Sequence, residues 1–515
     1  MKYLFTFLSL FLVSILIGQM PQQPATKILE NNHRIINSAA YGPLSHYEET
    51  EVVLQDRRDT LIRSFQLISP LFTAVDGNGE IRQTLEFYGN NGFYFLPGPL
   101  SRDGGLEPMD PEGNYFNKVW EVRRDQVHQL IYLREEGLLT EEKIPEDILR
   151  WPARGNPFFE MSGIDFDLAP FLDFDSDGIY DPLSGDLPLC LEENPDYFPQ
   201  QWHFSVMNDV NHGMSALYLG LEIKQISWVD ECNTDTIGNW SVFHRLEYEI
   251  FDNSNLSDIK FGMFENTDLG TVAPLQQYGS YPPLNVVFSY QNGFSNDATQ
   301  LLEVNQELID TKHFAIKSTK FLNKDLHAYT LGGYSEVPSD TFRIHGLWTY
   351  NFLNGKWPDG SPIAAYGSGY DPQSNDTTRY MFSDLPNDPN GWSMDKLTDA
   401  GARSQVSSID LEDEQRGTID FVDHFYLKAT ENGVNTFDDY PSLMMEMQSI
   451  YNRMIDGSYE CGKLEPLCFD RECVWPGDVN RNGKVQANDW VWQNLHEVFG
   501  RQGAARAVRS SAWTS

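Results

Sequence analysis

Between residues 169 and 188 the chain reads APFLDFDSDGIYDPLSGDLP, with carboxylates at every second position: Asp173, Asp175 and Asp177, then Gly178 and Asp181. A hard cation such as Ca²⁺ takes about six to eight oxygens at short range, and alternating carboxylates ahead of a turn-forming glycine supply them. Asp186 is a further oxygen donor in the same stretch. Calcium is the cofactor these residue types point to, and a structural role is the expected one.

A second oxygen-rich loop opens the stretch GDVNRNGKVQANDWVWQNLHEVFG at residues 477–500. Asp478, Asn480, Asn482, Gly483 and Asp489 fall at positions 1, 3, 5, 6 and 12 of an EF-hand-like loop, with the Lys484 carbonyl at position 7 and Val485 as the apolar anchor. Two neutral Asn ligands and an Asp in the last position point to modest affinity. The first loop lacks the final bidentate carboxylate, because Ser184 stands there; its spacing is closer to the D-x-D-x-D-G-x-x-D pattern of thrombospondin type 3-like loops. The Asp76-Gly77-Asn78-Gly79 run has one acidic residue and reads as a hairpin turn rather than a calcium loop.

Other residues carry weaker chemistry. His203, Asp209 and His212 lie close together in HFSVMNDVNH and are types found in metal or acid–base sites, but a turn with locally bonded histidines is the preferred reading. Glu265 and Asp268 in FENTDLG could serve as a glycosidase carboxylate pair, with turn or cation roles preferred. No G-x-S-x-G, H-E-x-x-H, phosphate-loop or dinucleotide signature occurs. Cys190, Cys232, Cys461, Cys468 and Cys473 suit an oxidising compartment; Cys190 with Cys232, and Cys461 with Cys468 or Cys473, are candidate pairs that spacing leaves open. Zinc at the late cluster is disfavoured by spacings that fit no common finger and by the lack of a nearby His.

The elements that must position these groups are mostly strands. β-Branched, aromatic or alternating runs occur at 51–54, 60–68, 202–207, 217–226, 241–252, 260–264, 286–290, 326–331 and 417–429. VFHRLEYEI, at 242–250, alternates as a half-buried strand does. The run FYFLPGPL at 93–100 reads as a strand leaving its sheet. Helices are expected at 117–136 with Asp125 as cap, at 144–151, and at 442–454; residues 341–356 suit either state. The expected fold is mainly β, β-sandwich-like and multi-domain, with a small helical insertion and a C-terminal EF-hand-like loop and helix.

At 515 residues the chain is long enough for several domains. Residues 1–18 read as a secretory signal, with Lys2 ahead of a short apolar run. Residues 19–168 form an N-terminal β-rich region with the helical insertion, 169–456 the acidic loop and a large β-rich region, 457–476 a Cys/Pro linker, and 477–515 the partial calcium module. The net charge of −38, from 37 basic and 75 acidic residues, makes nucleic acid and anionic membrane surfaces poor partners. No later run is apolar enough to span a bilayer.

The second loop resembles a dockerin repeat, a calcium loop opening a helix. Dockerins carry two such loops, and the chain contains one, so a truncated C-terminus is expected. A broader resemblance covers about residues 31–515. FYFLPGPL, WPARGNP (151–157), the 169–188 loop, FSVMNDVNHG (204–213), LGLEI (219–223), FENTDLG and CVWPGDVNRNG together look like large secreted surface proteins of Bacteroidetes-type bacteria. That resemblance implies export through a type IX secretion system, dockerin-like calcium loops and cell-surface attachment. TVAP follows FENTDLG where acidic residues are usual in such proteins. Two functions are carried forward. One is a calcium-stabilised extracellular structural or adhesion protein whose ligand is a polysaccharide or protein. The other is a dockerin-bearing, polysaccharide-active or carbohydrate-binding protein, for which the 12 Trp and 24 Tyr could line a sugar face.

Overall fold

The computed structural model describes residues 25–30, 34–40, 50–55, 60–84, 95–103, 105–161, 163–210, 218–232, 237–252, 255–268, 276–291, 301–304, 307–310, 313–332, 346–397, 404–429 and 437–463. The expected signal segment, most of the Cys/Pro linker and the whole 477–515 module lie outside them.

Two large antiparallel sheets dominate. The first runs, edge to edge, Thr26–Glu30, Arg34–Ala39, Thr50–Gln55, Thr60–Val75, Ser257–Asp268, Ser404–Glu412 and Leu326–Gly332, with Ile81–Gln83 also paired to Thr60–Val75. The second runs Gln276–Tyr281, Val286–Gln291, His313–Phe321, Arg416–Ala429, Ser241–Ile250, Leu221–Val229, Gln201–Asn208 and Leu96–Pro97, with Trp120–Arg123 also paired to Gln201–Asn208. Strands from either side of residue 168 therefore share both sheets: Thr60–Val75 pairs with Ser257–Asp268, and Trp120–Arg123 with Gln201–Asn208.

The sheets pack face to face. Phe72, Phe261, Met263 and Ile409 of the first share one buried cluster with Ile223, Leu246, Phe321 and Phe421 of the second. Phe261 meets Phe321 edge-on across the gap at 6.4 Å between ring centres, a favoured aromatic geometry. A third layer covers the other face of the second sheet. There Phe243, Val422 and Trp228 pack with Met444, Met447 and Ile450 of the helix Tyr440–Asp456. This helix forms because Tyr440, Met444, Met447, Ile450, Tyr451 and Met454 fall on one buried stripe; Pro441 opens it and Gly457, at φ +78°, closes it.

Covering both faces corrects the half-buried reading of 242–250. Ser241–Ile250 is a central strand with most residues buried on both sides. Its charge survives because Arg245 forks onto Asp420 on the neighbouring strand at 2.8 and 2.9 Å and reaches Glu193 at 2.7 Å. Burial opposes the guanidinium charge, but the Asp420 and Glu193 carboxylates outweigh it and hold the proton more tightly than usual.

The helical insertion is shorter than expected. The first helix spans Arg124–Glu135, because Trp120–Arg123 is drawn into the sheet, and Arg123 takes the cap position foreseen for Asp125. The second shrinks to Glu146–Leu149, and the undecided 341–356 stretch holds a helix at Gly346–Leu353. Leu96–Pro97 pairs with Met207 and Asn208 as a brief edge strand. Asp76 closes the Thr60–Val75/Ile81–Gln83 hairpin, its carboxylate accepting from the Asn78 and Glu80 N–H groups and from Arg82. Among the described residues no helix is long and apolar enough to cross a membrane.

Candidate metal centre

The acidic loop is built outward from the buried third layer. At its base Phe171 pairs with Pro188 and Leu172 with Leu187, so residues 173–186 are held as one closed excursion. Inside the excursion Tyr180 is fully buried; its hydroxyl donates to the Ile148 carbonyl at 2.7 Å and its N–H to the Arg154 carbonyl at 2.9 Å. Burial pushes the Tyr180 phenol well above its usual range, with Asp186 and Asp181 adding to the rise. Trp151 Nε1 donates to the Pro170 carbonyl at 3.0 Å. The WPARGNP segment is thus the floor against which the loop is moulded. Gly155, at φ +70°, is required there, since a Cβ would come within 2.8 Å of the Ile179 side chain.

On this floor the carboxylates separate into two groups. Asp173, Asp175 and Asp177 each bring a carboxylate oxygen within 4.8 Å of the others, toward the exposed side. Asp173 organises the turn: Oδ1 accepts from the Ser176 N–H at 2.7 Å and Oδ2 from the Gly178 N–H at 2.8 Å. Asp177 Oδ1 accepts from Ile179 at 2.8 Å. Ser176 at φ +62° and Gly178 at φ +79° both take left-handed conformations to close this turn. The left-handed turn and its backbone hydrogen bonds thus bring one oxygen of each of the three carboxylates within 4.8 Å of the others.

Asp181 and Asp186 belong to the loop's second half and fall outside that trio. Asp181 accepts from its own turn, from the Leu183 N–H at 2.9 Å and the Ser184 hydroxyl at 3.2 Å. Asp186 is buried, 1% exposed, and staples the loop: one oxygen accepts from the Phe174 N–H and the other from the Asp181 N–H, both at 2.8 Å. Burial pushes its carboxyl above the ordinary range; the two backbone donors pull it down, and the charges of Asp173 and Asp175 push it up again. The loop surface is not wholly polar. Phe174, Ile179 and Leu183 are exposed, and Arg134 lies over the Phe174 ring with 3.6 Å to its centre.

The expected ligands Asp478, Asn480, Asn482, Lys484 and Asp489 lie outside the described residues, as do Cys468, Cys473 and His212. Of the remaining cysteines, Cys232 is bonded to Cys461. This corrects the pairing of Cys190 with Cys232 and that of Cys461 with Cys468 or Cys473: Cys190 is a buried free thiol in the third-layer core. The chain leaving the helix Tyr440–Asp456 returns to the second sheet, where Phe198 N–H donates to the Gly462 carbonyl at 2.8 Å, and this path carries Cys461 to Cys232. Burial pushes the Cys190 thiol well above its usual range, leaving it unreactive.

The weaker candidates have structural surroundings. His203 is 2% exposed on a strand facing the first sheet, and burial, with help from Lys27, lowers its pKa to about 3. Asp209 is raised to about 7 by burial, although its carboxylate accepts from the Leu219 and Leu221 N–H groups, each at 2.7 Å. These two gather no third metal-ligating group among the described residues. Glu265 is fully buried and ion-paired with Lys317; the side chain of Asp268 lies outside the described residues. The partners Lys317, Gln405 and Asp423 carry no local sequence signal, since each comes from a different strand. Compared with known proteins, the sequence matches no family model and no curated protein.

Proposed function

We propose that this is a secreted, calcium-stabilised extracellular protein of structural or adhesive function, akin to the bacterial surface proteins it resembles. The observation that carries the reading is the loop at 173–186, where three carboxylate oxygens converge within 4.8 Å on a backbone pre-turned by Asp173. Like charges so placed repel, and a divalent cation with oxygen preference converts that repulsion into a tie. Asp173, Asp175 and Asp177 would hold the ion, while Asp181 and Asp186 shape the loop. The Cys232–Cys461 disulfide supports export, since such bonds persist in oxidising compartments. The carboxylate once considered for catalysis, Glu265, is engaged by a buried lysine, which favours a binding or scaffold protein over a hydrolase.

Because a ligand that binds only the folded state raises apparent stability, calcium at about a hundred times its Kd contributes about 2.7 kcal/mol. Thermal melts of the full chain in excess calcium and in EGTA test this: a higher melting temperature with calcium is expected, and coincident melts count against the proposal.

A further inference from the structure

Between the two sheets, beside the shared apolar core, lies a charged group that the calcium reading does not use. Lys317, Glu265 and Asp423 are each buried, at 1%, 0% and 1% exposure. Lys317 and Asp423 sit on adjacent antiparallel strands of the second sheet, where Thr319 pairs directly with Asp423; Lys317 is therefore its diagonal neighbour on the same face. Lys317 Nζ stands 3.8 Å from Asp423 Oδ1 and donates to Thr319 Oγ1 at 2.7 Å. From the facing sheet Glu265 Oε2 accepts a hydrogen bond from Lys317 Nζ. Gln405 Nε2 donates to that same Glu265 oxygen at 3.0 Å, and the Tyr329 hydroxyl donates to Gln405 Oε1 at 2.9 Å. Glu265 Oε1 is buried without a hydrogen-bond partner.

These are the parts of an activated nucleophile: a lysine nitrogen bonded to a carboxylate base, the base oriented by a further side chain, and a second carboxyl oxygen 3.8 Å from that nitrogen. Ordinarily an ammonium and a carboxylate do not condense, because water solvates both ions and drives hydrolysis. Here both are desolvated, held together by the fold, and walled off by the buried Phe421 and Phe425 on either side of Asp423 along its strand.

We propose that Lys317 and Asp423 condense into an intramolecular amide cross-link, with Glu265 carrying the protons. The Lys317 ammonium passes a proton through Glu265 to Asp423, and the freed nitrogen lone pair attacks Cγ of the resulting carboxylic acid to form the C–N bond. As the tetrahedral centre collapses the C–O bond to its hydroxyl breaks; Glu265 takes a second proton from the nitrogen and gives it to that hydroxyl, which leaves as water. One ammonium and one carboxylate become one amide and one water; no oxidant, reductant or activated donor is consumed. The product replaces a buried ion pair by a neutral group and ties the strand His313–Phe321 covalently to Arg416–Ala429, a useful property in a protein exposed to force. The cross-link does not depend on calcium, so either proposal can fail alone.

Proteolysis of the folded, full-length protein followed by reduction and tandem mass spectrometry tests it. The expected result is a branched peptide joining Lys317 to Asp423, lighter than the sum of its two arms by one water. The same digest of Glu265→Gln, which keeps the hydrogen bonds of an amide but cannot shuttle the proton, is expected to give two linear peptides. Linear peptides alone from the unaltered protein, or a branch joining Lys317 to Glu265, would overturn the proposal. The decisive measurement needs no variant, so a folding defect in Glu265→Gln leaves the test intact.

Discussion

Asp186 shows how one residue can set the shape of a site without reaching its centre. One of its oxygens accepts the Phe174 N–H near the start of the acidic loop and the other the Asp181 N–H near its middle. Asp186→Ala would remove both hydrogen bonds, at about 0.5–1.5 kcal/mol for each, since the donors are only partly buried. The expected outcome is a lower denaturant midpoint together with weakened calcium binding, measured by chemical unfolding in the presence and absence of the ion. Its raised pKa has a definite sign. The folded state holds this proton more tightly than the unfolded chain, so Asp186 contributes stability below its unfolded value that is lost as pH rises through its folded value.

His203 works in the opposite direction. With its folded pKa lowered from 6.5 to about 3, the unfolded chain binds a proton that the native state refuses, and stability falls as pH drops through that window. Nuclear magnetic resonance titration of the imidazole is expected to show a neutral ring down to about pH 3, and His203→Gln to flatten part of the acid-side loss of melting temperature. At this scale the sequence was legible where chemistry is local. The Asp76 turn and the convergence of Asp173, Asp175 and Asp177 depend on neighbours a few residues away. The roles of Asp181 and Asp186 were not legible, because they depend on which backbone donors the folded loop presents.

At the scale of elements, the strand Ser241–Ile250 and the helix Tyr440–Asp456 hold the third layer in place. Tyr451 on the helix donates to Asp420, and Asp420 is gripped by Arg245. Removing Arg245 leaves a buried carboxylate without its counter-charge, which typically costs about 3–5 kcal/mol. Arg245→Ala is therefore expected to lower the melting temperature by far more than Arg154→Ala, whose side chain is about half exposed and meets Asp167 at 3.5 Å. Many of the longer strands were legible from alternation and β-branched runs, but Thr26–Glu30, His313–Phe321 and Ser404–Glu412 were not. The first helix was overextended because the sheet claims Trp120–Arg123, a tertiary pairing with no local trace. The burial of Ser241–Ile250 on both faces was hidden for a similar reason: its glutamates and Arg245 mimic a wet face, and only the fold shows the partners that let Arg245 be buried.

For the molecule as a whole, the alternating and β-branched runs pointed to a mainly β architecture, and the sheets bear this out. What composition cannot carry is long-range connection. Cys232 and Cys461 are 229 residues apart, and their pairing follows from the path of the chain after the last helix; closing a loop of that size is worth about 2–5 kcal/mol. The triad of Lys317, Glu265 and Asp423 is likewise assembled from three strands in two sheets. The third-layer core and the pairing of Phe171–Leu172 with Leu187–Pro188 hold the two ends of residues 173–186 together at the surface.

Isothermal titration of calcium into the chelator-stripped protein, set beside the Asp173→Ala, Asp175→Ala, Asp177→Ala triple variant, tests the calcium tie most directly. A saturable binding event is expected in the unaltered protein, lost in the triple variant while its circular dichroism spectrum remains that of a folded, β-rich chain. Identical titrations for the two folded proteins would rule out the calcium tie.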